Sequence, residues 1–101
     1  MIEFHHLGFR QICGGCPESY EIIDADGAQV GYAHLRNHCF TVRTPDSAGV
    51  EIYESFTHGD GVFSRDERDG ELEAAAFAVR RHFDPDYDGF AAARGDNPSP
   101  D

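Results

Sequence analysis

Cys13 and Cys16 stand two residues apart, with Gly14 and Gly15 between them and Pro17 behind. That spacing lets a tight backbone knuckle turn both sulfurs toward one cation. The same pair can instead cycle between dithiol and disulfide. Thiol-disulfide chemistry is best served when the first cysteine opens a helix, where the dipole lowers its pKa, and here the pair leads into a strand pattern. A third reading leaves both as reduced, unligated thiols. With Cys39 the cysteines number 3, so disulfides alone do not account for them.

A tetrahedral zinc ion needs two ligands beyond the pair. His34 and His38 complete a C-x2-C-x17-H-x3-H series. This resembles a zinc finger in spacing only, because the middle is longer and hairpin strands stand where a finger has its helix. Strand register offers a closer set. If Leu35 and Phe40 face the core, then His34, Arg36, Cys39 and Thr41 share the other face, with His34 diagonal to Cys39. Cys13, Cys16, His34 and Cys39 would then form a structural Cys3His zinc site pinning the N-terminal arm to the sheet, with His38, His5 or His6 as substitutes. Residues 59–67, Gly-Asp-Gly-Val-Phe-Ser-Arg-Asp-Glu, are similar to the second half of an EF-hand loop, with Asp60, Gly61, Ser64 and Glu67 at its fifth, sixth, ninth and twelfth positions. The first and third positions fall on Phe56 and His58, so two carboxylates are missing and calcium is a poor fit. A glycine-rich turn feeding a capped helix accounts for the same residues.

Positioning these groups is the task of strands and one helix. The β-like pattern begins at 20–23, Tyr-Glu-Ile-Ile, and runs into Asp26-Gly27, which supplies the positive φ angles of a tight hairpin turn. The next strand is 30–36. A two-residue turn at Asn37-His38 then pairs Leu35 with Phe40 and Ala33 with Val42, and a one-residue slip would break that match. A third strand follows at 39–43. After a turn at 45–49 comes a fourth at 50–55, alternating Val50 and Ile52 against Glu51 and Tyr53. Residues 7–12 are a candidate fifth strand of irregular pattern. Ser64 and Glu67 form a capping box, and Leu72, Ala75, Ala76, Val79 and Phe83 make one helical stripe that Pro85 stops. The expected fold is a single α+β domain over 1–101: an antiparallel meander of four or five strands, then one helix packed on it. Its core would span about 16–83, between an N-terminal arm at 1–15 and a flexible acidic tail at 84–101, with Tyr87 and Phe90 as anchors should the tail be held.

Charge is the strongest global signal: 19 Asp plus Glu against 8 Arg and no Lys, a formal net charge of -11. Such a chain is a poor direct partner for nucleic acid or an anionic membrane. No run reaches the roughly 18 apolar residues a membrane helix needs, and the N-terminus lacks a basic segment followed by an apolar one. A cytoplasmic location is expected. Asp60, Asp66, Glu67, Asp69, Glu71 and Glu73 crowd the helix start, where a solvated face is the ordinary meaning of such a run. On a rigid face, carboxylates can also imitate a phosphate backbone and occupy a basic groove on another protein. Small acidic inhibitors encoded by phages and mobile elements, anti-CRISPR proteins among them, are similar in size and charge, a likeness of composition alone. No nucleophile, base and oxyanion set stands out. The expectation is a non-enzymatic interaction or inhibitor module for a basic protein surface. The alternatives are a small structural zinc domain and a CxxC thiol oxidoreductase.

Overall fold

The computed structural model describes residues 2–13, 18–64 and 66–88. Six strands, β1 (Ile2–Phe4), β2 (Leu7–Cys13), β3 (Glu18–Ile23), β4 (Gln29–Arg36), β5 (Cys39–Thr44) and β6 (Val50–Phe56), precede one helix, α1 (Arg68–Phe83). They lie side by side in chain order, each antiparallel to the next. The α+β meander is therefore present, with six strands rather than four or five. β1 escapes sequence reading because three residues are too few to show alternation, and its turn is His5-His6 rather than Asn-Gly. Both histidines adopt positive φ, 52 and 66°.

The N-terminal arm belongs to the core. Leu7 and Phe9 are only 2% and 1% exposed, so the core begins at Leu7 and not near Cys16. Alternation explains it, since Leu7 and Phe9 are two apart and point to one face. The Leu35–Phe40 and Ala33–Val42 pairs form as the Asn37-His38 turn predicts, both turn residues having positive φ. The Asp26-Gly27 hairpin is wider than a tight turn. Gly27 has φ 87°, but the loop runs over 24–28, where the Asp24 carboxylate accepts the N–H groups of Asp26 and Ala28, each at 2.9 Å. In β6 the pairing shifts between Val42–Tyr53 and Arg43–Glu51. That bulge ends simple alternation: Ile52 and Tyr53 both pack against the core, while Val50 is 60% exposed.

One face of the sheet packs under α1. Leu7, Phe9, Tyr20, Ile22, Ala33, Leu35, Phe40 and Val42 meet Leu72, Ala75, Ala76 and Val79 of the helix, with Phe63 wedged in from the preceding loop. Burying each large apolar side chain is worth about 1.5–3 kcal/mol, and the two alanines let the helix lie close. Phe83, assigned to the same stripe, is exposed, because it borders an open cleft with Leu7 and Val30 instead of closing onto them. The helix ends there as Pro85 requires, its Asp84 N–H donating to the Arg80 carbonyl at 2.9 Å. Tyr87 is anchored; the expectation for Phe90 and the rest of 89–101 lies outside the described residues. Among the described residues no helix is long and apolar enough to cross a membrane.

Candidate functional site

Carboxylates of the helix start divide into those the fold consumes and those it leaves outward. The most buried acid lies apart from the proposed cluster. Glu18, first residue of β3, is two residues from Tyr20 and four from Ile22, so alternation turns it into the core, where it is 1% exposed. Arg68, at the start of α1, reaches it with Nε to Oε2 at 2.7 Å and Nη2 to Oε1 at 3.0 Å. The Tyr20 hydroxyl donates to the same carboxylate, and the Phe63 N–H donates at 3.0 Å. Burial pushes the Glu18 pKa up, but the donors from Arg68, Tyr20 and Phe63 outweigh it and hold the carboxyl below its ordinary value. Burial and the neighbouring Glu18 carboxylate raise Tyr20. This ion pair clamps the helix start to the middle of the sheet. Its sequence signal was a glutamate in phase with Tyr20 and Ile22, a phase that the strand reading begun at Tyr20 did not follow back.

Glu67 and Glu71, two of the six proposed partner-binding residues, are spent internally. Glu67 accepts backbone N–H groups from His58 at 2.9 Å and from Gly59 and Ser64 at 2.8 Å. Only the glutamate half of the capping box forms: the N-cap is Glu67 rather than Ser64, and the helix starts at Arg68, three residues later than the box places it. Burial would raise the Glu67 pKa, yet these N–H donors bring it down to about 2. The loop it gathers is tight: a Cβ on Gly59 would lie 1.9 Å from the Val62 carbonyl oxygen. Holding three N–H groups, the carboxylate gathers the loop between β6 and α1. Glu71 accepts the Tyr53 hydroxyl at 3.0 Å and the Ser55 hydroxyl at 2.9 Å, tying α1 to β6. Asp60 lies 3.6 Å from His38 and Glu73 3.5 Å from His5. Among the described residues Asp66 and Asp69 alone of the six have no hydrogen-bond or ionic partner and face outward.

Of the cysteine and histidine set, His34 and Cys39 sit on the sheet's other face. His34 pairs with Thr41, and Arg36 with Cys39, so His34 and Cys39 are diagonal there as register predicts. They are engaged with other groups. Tyr32 and His34 share a hydrogen bond at 3.1 Å, and the Cys39 thiol donates to Glu54 at 3.3 Å. Burial and then Arg36 lower the His34 pKa. Burial, the bond to Glu54 and the charges of Glu54 and Glu51 raise Cys39, which keeps it a thiol rather than a thiolate. The Cys13 backbone pairs with Ser19, which in turn pairs with His34. The Cys13 side chain and all of Cys16 lie outside the described residues. Among the described residues no group of three or more His, Cys, Asp or Glu could hold a metal ion.

At the far end of α1 an aromatic cluster forms that sequence reading reached only through Tyr87. The His5 Nδ1 lies 2.9 Å from the Tyr87 hydroxyl. Phe77 packs against both rings, Arg80 lies 4.9 Å over Tyr87 and Arg81 5.5 Å over Phe77. Beside it, Leu7, Val30, Val79 and Phe83 line an open cleft of about 430 Å³ with Asp24, Arg80 and Asp84 at its rim.

No family model matches the chain, and comparison with curated proteins and with solved structures finds no significant match.

Proposed function

We propose that the protein is a non-enzymatic interaction module that offers an acidic surface to a basic protein partner. The observation that supports this reading is the fate of its cations. Arg10 pairs with Glu21, Arg43 with Glu51 and Arg68 with Glu18, while Arg80 and Arg81 lie over aromatic rings. Five of the 8 arginines are thus engaged within the fold, and a chain of net charge -11 is left with Asp66, Asp69 and other carboxylates facing water. Such a field attracts and orients a basic surface before contact. The outward part of the acidic face is narrower than the six-residue run, because Glu67 and Glu71 hold the loop and β6.

The test is fluorescence anisotropy of a labelled arginine-rich peptide against the wild type and Asp66→Lys/Asp69→Lys. Expected is binding that weakens steeply between low and physiological salt and by about tenfold on double reversal. Binding indifferent to salt and to both reversals would overturn the proposal. A competing DNA duplex serves as a second readout. A protein that mimics a phosphate backbone displaces DNA from the basic peptide, and failure to displace it removes the mimicry while leaving the acidic contact.

A further inference from the structure

We infer that the outer edge of β6 is where the basic partner docks, as an extended segment that adds to the sheet as a seventh strand. This rests on the reading of the protein as a module for a basic partner and adds, beside the outward carboxylates of the helix start, a docking strand with a defined backbone conformation on β6, the strand that Glu71 ties to that helix start. A sheet has two edges, and here they differ. Both edge strands touch α1 on the core face, but β1 is only three residues long. β6 has seven residues, hydrogen-bonds to β5 on one side, and among the described residues has no strand on the other. Its unpaired N–H and C=O groups form a template for another strand.

The side chains on that edge specify the occupant. Opposite residues of an antiparallel pair share a face, so Glu51 opposite Arg43, Glu54 opposite Thr41 and Phe56 opposite Cys39 all lie on the face away from the helix. Phe56 is 80% exposed, the most exposed large apolar side chain among the described residues. Glu51 and Glu54 are also exposed, the first paired with Arg43 at 4.0 Å and the second accepting the Cys39 thiol at 3.3 Å. Side chains of a strand alternate faces. An added strand with basic residues on this face would therefore gain two charge pairs at Glu51 and Glu54 and lay an arginine over the Phe56 ring, while its intervening apolar residues face the helix side. A second copy of this chain would instead bring more carboxylates to an edge that already carries two, which disfavours self-pairing. The expected occupant is therefore a segment alternating Arg or Lys with apolar residues.

The experiment uses a capped peptide of alternating arginine and valine, and the same peptide N-methylated at alternate residues, which keeps its charge but removes one hydrogen-bonding edge. Calorimetry gives affinity, and amide hydrogen exchange locates the contact. Expected is binding by the first peptide with slowed exchange along β6, at least about tenfold weaker binding by the N-methylated one, and a similar loss in Glu51→Lys/Glu54→Lys. A melting temperature close to wild type checks that this variant is folded, and Glu51→Gln/Glu54→Gln serves if it is not. Equal binding of the two peptides would overturn strand addition and leave the acidic-surface reading intact. Absence of binding by either at low salt overturns both. Sedimentation showing a dimer that Glu54→Lys alters would give the edge to a second copy and overturn the inference.

Discussion

The two ends of α1 are fastened to the same sheet by opposite means. At the N-terminal end, carboxylates do the work: Glu18 is buried against Arg68, Glu67 gathers three backbone N–H groups, and Glu71 takes two hydroxyls from β6. At the C-terminal end the contact is between rings, with His5, Phe77 and Tyr87 stacked edge and tilt and two guanidiniums laid over them. Part of this follows from the helix dipole, which favours negative charge at the start and positive charge at the end. Glu67, Asp69 and Glu71 open the helix, and Arg80, Arg81 and His82 close it. The exception is Arg68, a cation at the wrong end, and it is tolerated because Glu18 neutralises it at hydrogen-bond distance. An acidic residue at this helix start is therefore a structural part when it can reach an N–H, a hydroxyl or Arg68, and a surface charge when it cannot.

The largest effect should come from splitting the ion pair. Arg68→Met leaves a carboxylate in a site where it is 0% exposed, a loss of about 3 kcal/mol. In a domain of this size that is a fall of more than about 10 °C in melting temperature. Glu18→Gln/Arg68→Met, which removes both charges, should recover part of the loss in a double-mutant cycle. A double variant no better than Arg68→Met would show that the clamp acts through shape and not through charge. Second in size is Glu67→Gln, which weakens charge-assisted bonds to the loop and should cost about 1–3 kcal/mol. Its pH dependence has a definite sign. The folded pKa of Glu67 is about 2, below the ordinary 4.5, so its stabilisation is complete above pH 4.5 and lost as pH falls toward 2. The gap between wild type and Glu67→Gln in urea unfolding should thus be full at pH 6 and shrink on acidification. A gap that stayed constant to pH 2 would mean that the carboxylate's charge is not what holds the loop.

What could be read from the sequence follows the same division. Register through Leu35, Phe40, Ala33 and Val42 was legible because one slip would turn four apolar residues outward. The buried faces of α1 were legible from the spacing of Leu72, Ala75, Ala76 and Val79. β1 and the role of His5 were not, since a three-residue strand has no period and its anchor Tyr87 is 82 positions away. The carboxylates were misjudged as a group because charge alone does not reveal which ones find donors. Asp66 and Glu67 are neighbours with the same charge, yet one faces water and the other holds three N–H groups. The His34 and Cys39 diagonal was legible from register, whereas their actual partners, Tyr32 and Glu54, depend on side-chain conformations that register leaves open.

Smaller effects test the aromatic end. Tyr87→Phe removes the hydroxyl bonded to His5 but keeps the ring under Arg80, so about 0.5–1.5 kcal/mol should be lost. Tyr87→Ala, which also removes the contacts with His5, Phe77 and Arg80, should cost more. Equal losses from the two would place all of the coupling in the hydrogen bond and none in the rings. Hydrogen exchange in β1 is the local readout, because His5 joins that strand to the helix end.

The smallest effect on stability should come from Asp66→Asn/Asp69→Asn. Neither carboxylate has a partner among the described residues, so the melting temperature should move by no more than the equivalent of about 0.5 kcal/mol. Removal of negative charge from the first turn of a helix costs a few tenths, while relief of repulsion in a chain of net charge -11 acts in the opposite direction. These opposed terms keep the sum small, whereas the attraction for a basic peptide has no such compensation and should fall. The pair is therefore the cleanest separation of surface charge from structural charge: Glu67→Gln lowers stability first, and Asp66→Asn/Asp69→Asn lowers binding alone. A double variant that melted as early as Glu67→Gln would show that these outward carboxylates also hold the helix start, and the contrast between neighbouring acids would collapse.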